Sequence, residues 1–264
     1  MHNYEEITSR ANPKIKEACS LLSASGRKKT GLYLTEGARL CADAVGSGVT
    51  PEMFLCTRQA AEKYGRAFEL CSDRARRTYF ISDGVAEKLS DTGETQQMFC
   101  VCRIPPASDE RGPDPDGFYI MTENVQNPDN LGAAVRSCEA LGADGLIVVS
   151  GCDIYSPKAL RASMGALLRF PVIRYPSSEA ALTAARELGM RIFATVVDPD
   201  AESMITVDKT GGCVCVIGNE GAGVTDTVKA LSDHLITIPM RGRAESLNAA
   251  AAVAITVWEF IKNR

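Results

Sequence analysis

Between residues 118 and 261 strands and helices alternate almost without a break, and no other feature limits the fold of this chain so tightly. Apolar runs of strand length stand at 118–121, 145–149, 172–174, 191–197, 213–217 and 235–238, with helical patterns at 131–141, 157–167, 179–188, 225–231 and 247–261. This alternation predicts an α/β domain with a mostly parallel sheet and helices on both faces. Ligands of such sheets sit at the carboxyl ends of the strands, which directs attention to the loops that follow them.

The first hundred residues read as a second, smaller α/β unit. Helical patterns near 13–24, 38–45, 60–71 and 84–89 alternate with strands near 31–34, 53–56, 78–81 and 98–103. Between the units runs P-P-A-S-D-E-R-G-P-D-P-D-G, rich in Pro, Gly and acids and without apolar period, which is linker composition. The expected organisation is a unit over 1–103, a linker over 104–116 and a larger domain over 117–264. Residues 1–103 carry 15 Lys and Arg against 13 Asp and Glu, and the remainder 14 against 20. A polyanion surface is therefore expected on the first unit, where Arg27-Lys28-Lys29 and Arg74/Arg76/Arg77 concentrate charge; a plain solvated face is the alternative.

Ten cysteines are scattered through predicted strands and helices without any C-x-x-C pair, so they read as buried free thiols and not as a disulfide framework. With His2 and His234 as the only histidines, no metal site is expected. The first seven residues hold two acids and no apolar run, and nothing downstream approaches a membrane span, so a cytoplasmic protein is expected.

Three stretches concentrate unusual residues at strand ends. After the strand ending at 121 comes T-E-N-V-Q-N-P-D-N-L-G-A-A-V-R-S, with Pro128, Asp129 and Asn130 suited to a helix start and Arg136 on an otherwise apolar helix, either paired structurally or aimed at a site. After 217 comes G-N-E-G-A-G, whose glycines give backbone amides and room for a flat or anionic ligand, with a tight turn as the alternative. A dinucleotide fingerprint would need glycine where Glu220 stands, and its carboxylate would repel a pyrophosphate, which disfavours a nicotinamide-dependent oxidoreductase. The third stretch, I-P-M-R-G-R-A-E-S-L-N over 238–248, leads into an alanine-rich helix; Ser246 is the expected N-cap, with Asn248 in the first turn.

Together these stretches resemble the SpoU-type RNA ribose 2′-O-methyltransferases of the SPOUT class. The family's first motif, N-x-G-x-x-x-R, is matched by Asn130, Gly132 and Arg136; its second, G-x-E-G, by Gly218, Glu220 and Gly221; its third, I-P-M…S-L-N, by Ile238–Met240 and Ser246–Asn248. The stretch S-P-K-A-L-R-A-S-M-G-A-L over 156–167 is similar to the family's connecting helix, and G-L-Y-L-T-E-G-A-R-L over 31–40 to the small substrate-binding domain of ribosomal-protein-like fold. Asn127 departs from the acid often found there, and the loop 241–245 is more charged than many.

The resemblance implies a deep trefoil knot in the C-terminal domain, S-adenosylmethionine bound in the knotted loops, a homodimer formed through the catalytic domain, and an RNA substrate, ribosomal RNA ahead of transfer RNA. By carry-over, Gly218, Ile238, Met240 and Leu247 would hold the cofactor, while Asn130, Arg136, Glu220, Ser246 and Asn248 would surround the reacting atoms. A catalytically silent RNA-binding relative is the other class implied, and intact Arg136, Glu220 and Asn248 argue against it.

Overall fold

The computed structural model describes residues 4–91, 93, 95–106 and 112–262. Part of the expected linker, 107–111, and His2 lie outside the described residues. The chain forms two compact units, the first comprising Met1–Pro105 with Asp153–Arg169, the second Pro106–Cys152 with Phe170–Arg264.

The first unit holds a five-stranded mixed sheet. Its strands are β1 (Glu5–Ile7), β2 (Leu32–Glu36), β3 (Met53–Cys56), β4 (Thr78–Ile81) and β5 (Met98–Arg103), in the order β1-β4-β3-β5-β2. β5 runs antiparallel to both β2 and β3. The helical stretch expected near 13–24 is two helices, α1 (Pro13–Ser20) and α2 (Ala24–Thr30), because Ser23 caps a new start by accepting from the Gly26 amide. Then follow α3 (Ala38–Gly46), α4 (Arg58–Lys63), α5 (Gly65–Arg74) and α6 (Asp83–Leu89). The Asp153–Arg169 segment groups with this unit for visible reasons: Arg27 Nε donates to Asp153 Oδ2 at 2.7 Å, Tyr33 and Tyr155 rings lie 4.9 Å apart, and Arg161 Nη2 donates to Asp91 Oδ2 at 2.8 Å.

The second unit is built on seven strands, all paired in parallel: β6 (Phe118–Glu123), β7 (Gly145–Val149), β8 (Val172–Tyr175), β9 (Arg191–Thr195), β10 (Glu202–Ser203), β11 (Cys213–Ile217) and β12 (His234–Thr237). The order is β10-β12-β9-β11-β6-β7-β8, so β11 sits between strands that precede it in the chain. β6, β7 and β11 are buried at every position, which explains their near-continuous apolar sequence. The connecting helices are α7 (Pro128–Leu141), α8 (Pro157–Ala162), α9 (Ser178–Glu187), α10 (Asp226–Leu231) and α11 (Ala249–Ile261). α11 is apolar almost throughout but buries only one stripe, Ala249, Val253, Thr256, Val257 and Phe260, with Phe260 stacked 5.0 Å from Phe118. All ten cysteines are free, and burial pushes the Cys56 and Cys138 thiols up to about 12. No helix of the described residues is long and apolar enough to cross a membrane.

Candidate active site

The three motif loops emerge together at the carboxyl ends of β6, β11 and β12. Pro128 occupies the first turn of α7, where a missing N–H costs nothing, and Asn127 caps it, its Oδ1 accepting from the Asp129 amide at 2.9 Å. Asn124, at φ 55°, turns the chain between β6 and α7. This leaves the Gln126 and Asn127 amides directed away from the helix, and the Glu220 carboxylate takes both, at 3.2 and 3.1 Å.

The loop after β11 is a closed ring. Asn219 and Gly223 exchange backbone hydrogen bonds of 3.0 Å, and Asn219 Oδ1 accepts from the Gly221 and Ala222 amides. Glycine is required at its neck, since a Cβ on Gly218 would stand 2.1 Å from the Gly223 carbonyl carbon. Glu220 projects from this ring to Asn130, whose Nδ2 donates to it at 2.9 Å, and Asn248 Nδ2 donates in turn to Asn130 Oδ1 at 2.9 Å. Asn248 Oδ1 then accepts from Ala250 and Ala251, which makes Asn248 the N-cap of α11. The expected cap, Ser246, lies before the helix in the extended loop; the helix starts two residues later than its sequence suggests because Asn248 serves both the cap and Asn130.

These links have one polarity. An ionised carboxylate only accepts, so Asn130 must turn its NH2 to Glu220 and its oxygen to Asn248, which fixes Asn248 the same way round. Partial burial pushes the Glu220 carboxyl up, but the hydrogen bonds from Asn130, its own backbone and the Gln126 and Asn127 amides outweigh this and hold it below the usual glutamate value.

Two cavities meet at this chain of bonds. A cleft of about 780 Å³, counting its open mouth, is lined by Thr195–Val197 at the end of β9, Ile217, Gly218–Gly221 and Gly223 of the ring, Thr237, Ile238, Met240, and Glu245–Leu247 with Ala249 and Ala252. Its only charged lining residues are Glu220 and Glu245. Beside it a recess is lined by Gln126, Asn127, Asn130, Glu220, Ser246, Leu247, Asn248 and Ala249. Glu220, Ser246, Leu247 and Ala249 belong to both. The structure thus brings eight of the nine expected site residues together. Arg136 lines neither cavity: six residues beyond Asn130, it is turned to another side of α7, exposed and without a partner among the described residues. Sequence reasoning missed Gln126, Asn127 and the Thr195–Val197 wall, although a position at the carboxyl end of a parallel strand was signal enough for the last.

A cleft whose charges are all negative suits a cation and disfavours a pyrophosphate. The model of the SpoU rRNA Methylase family matches residues 117–258, and that of the MRM3-like substrate binding domain matches 12–100. The chain is 30% identical to the 23S rRNA (uridine(2479)-2′-O)-methyltransferase of Streptomyces viridochromogenes, with 98% of this chain and 92% of the relative covered. It is 28% identical to the 23S rRNA (guanosine(2553)-2′-O)-methyltransferase RlmP of Bacillus subtilis, over 96% and 98%. Among solved structures, AviRb of S. viridochromogenes in complex with AdoMet superposes with a TM-score of 0.84 at 30% identity, covering 96% of this chain and 98% of that one. The AdoMet-bound rRNA methyltransferase of Sinorhizobium meliloti gives 0.86 at 26% identity, covering 98% of each.

Proposed function

The chain belongs to the SpoU rRNA methylase family, and from that premise we propose that it methylates a ribose 2′-hydroxyl of ribosomal RNA with S-adenosylmethionine. The observation that carries this reading is the junction of a cation-tolerant, largely apolar cleft with a polar recess at Glu220 and Ser246. The lining of the cleft fits the cofactor: apolar side chains and loop backbone for the adenosyl part, carboxylates for a positive sulfonium. When bound, S-adenosylmethionine supplies an electrophilic methyl group on that sulfonium. Gly218, Ile238, Met240 and Leu247 would hold it, and the Thr195–Val197 wall would exclude water.

The recess would take the reacting nucleotide. Asn130, fixed by Glu220 and Asn248, has its amide locked in one orientation, so its contribution is to position and not to move a proton. Ser246 stands at the boundary between the cavities, where the acceptor hydroxyl must lie for in-line displacement. Arg136 lines neither cavity of its own chain, so its exposed guanidinium would reach the 2′-oxygen only with the RNA or a second copy of the chain in place, there to stabilise the oxygen as its proton leaves.

Ribosomal RNA is preferred to transfer RNA because two relatives matched over nearly their full length are named for 23S rRNA, and such a substrate sets the work in the cytoplasm. The first unit would grip the RNA. A homodimer belongs to the same reading: α11 leaves Ile255 and Trp258 40% and 58% exposed, an apolar face that a second copy would cover. So does the trefoil knot, supported by the insertion of β11 between β9 and β6. The test is methyl transfer from tritiated cofactor to ribosomal RNA. Arg136→Ala should bind cofactor normally and lose roughly 3 kcal/mol of transition-state stabilisation, on the order of a hundredfold in rate. Full activity in that variant would remove Arg136 from the reaction.

A further inference from the structure

Glu123, the last residue of β6, is 4% exposed and lines neither cavity, yet it is fully engaged. Its Oε2 accepts from the Thr225 amide at 2.8 Å, and its Oε1 accepts from the Thr225 hydroxyl at 2.9 Å and the Ser178 hydroxyl at 2.6 Å. Thr225 is the N-cap of α10 and stands two residues after the Gly218–Gly223 ring; Ser178 opens α9. A carboxylate between two helix starts is electrostatically favoured there. Because Thr225 Oγ1 gives its proton to Glu123, its lone pairs are left for the Val228 amide, so the cap and the tie support each other.

The same short segment fastens the ring elsewhere. The Asn124 carbonyl accepts from Asn219 Nδ2 at 2.9 Å, and the next amides along the chain hold Glu220. The ring is therefore clamped at its neck and its tip by 124–127 and at its exit by Glu123. With Gly223 bonded back to Asn219, a displaced exit would carry the neck with it.

The geometry points to Glu123 as a positioning residue for the cofactor loop, one that sets how tightly S-adenosylmethionine binds without touching it; this rests on the function proposed above. The two arms of its carboxylate make the idea separable from general stabilisation, because the Thr225 arm reaches the ring and the Ser178 arm reaches only α9.

Cofactor affinity of the full chain would be measured by titration calorimetry, beside steady-state methyl transfer. Thr225→Ala and Glu123→Gln should each weaken cofactor binding by roughly tenfold or more, about 1.4 kcal/mol. The effect should appear in KM for the cofactor with kcat little changed. Ser178→Ala should bind as the wild type does, and Thr225→Ser, which keeps both hydroxyl bonds, should restore affinity. Unchanged affinity in Thr225→Ala, or an equal loss in Ser178→Ala, overturns the assignment. If Glu123→Gln fails to fold, the Thr225→Ala and Thr225→Ser pair decides. A wild-type chain that binds no S-adenosylmethionine would instead overturn the function itself.

Discussion

Replacing Asn248 tests whether the polar relay or only the helix cap matters at the third motif. Asn248→Ala removes a cap worth about 1 kcal/mol. It also removes the bond to Asn130, of similar value at about 1 kcal/mol, and leaves the Asn130 oxygen, on a residue only 9% exposed, without its donor. The sum is about 2 kcal/mol, which for a unit of this size lowers the thermal midpoint by roughly 4–8 °C. Asn248→Asp separates the two contributions. Aspartate caps as well as asparagine and gains from the helix N-terminus, so stability should fall by less than about 1 kcal/mol. It cannot donate, however, and it sets a carboxylate against the Asn130 oxygen. Asn130 cannot turn over to meet it without presenting its oxygen to Glu220. Methyl transfer should therefore drop in Asn248→Asp at least as far as in Asn248→Ala, despite the better stability. An aspartate variant with wild-type activity would refute the relay and leave Asn248 as a cap alone.

Four further outcomes follow from the geometry. Gly218→Ala should abolish cofactor binding measured by calorimetry, because its methyl would meet the backbone of Gly223 at 2.1 Å; retained binding would mean that the ring opens easily. In the basic run 27–29, Arg27 is 4% exposed and bonded to Asp153 and to the Leu21 carbonyl, so Arg27→Met should cost about 1–2 kcal/mol in urea denaturation, the Asp153 carboxylate it leaves being partly solvated. Lys28 and Lys29 are exposed, and reversing both to Glu should leave stability unchanged while flattening the salt dependence of RNA binding, read by filter binding across a salt series. Glu220 has its folded value lowered, so the stability it contributes is present above the ordinary glutamate value and is lost as pH falls through the lowered one. The stability gap between wild type and Glu220→Gln should accordingly close in acid, and a gap independent of pH would contradict the assigned charge.

The parallel sheet of the second unit was legible because each buried strand is short, apolar and followed by a helix. Edge strands were not: β1 (Glu5–Ile7) and β10 (Glu202–Ser203) have two or three residues, too few to show a period. Nor could the break at Tyr64 between α4 and α5 be seen within an unbroken helical pattern. The motifs located the site, since their spacing puts all three loops at one end of the sheet. What spacing could not supply was pairing. Arg27 looked like part of a basic surface because its partner, Asp153, lies 126 residues away. Ser246 and Asn248 are equally good caps by type, and only the contact with Asn130 chooses between them. Asn127 departs from the common acid without loss of the cap, which its side-chain oxygen still provides.

The remaining question in the proposed reaction is where the 2′-hydroxyl proton goes, and the geometry of Glu220 bears on it. A carboxylate at the mouth of a sulfonium site invites the role of base. Yet Glu220 accepts from Gln126, Asn127, Asn130 and, at 3.4 Å, Asn219 Nδ2, so its oxygens are already engaged, and those same bonds lower its affinity for a proton. A base is weakened by every donor that stabilises its charged form. A bare carboxylate would also favour the charged sulfonium over a transition state in which that charge is vanishing, which works against catalysis. Spreading the charge of Glu220 over four donors reduces that penalty while keeping Asn130 in place. In the proposed reaction Glu220 is therefore a positioning carboxylate and not the base, its role being to hold Asn130 beside the acceptor hydroxyl.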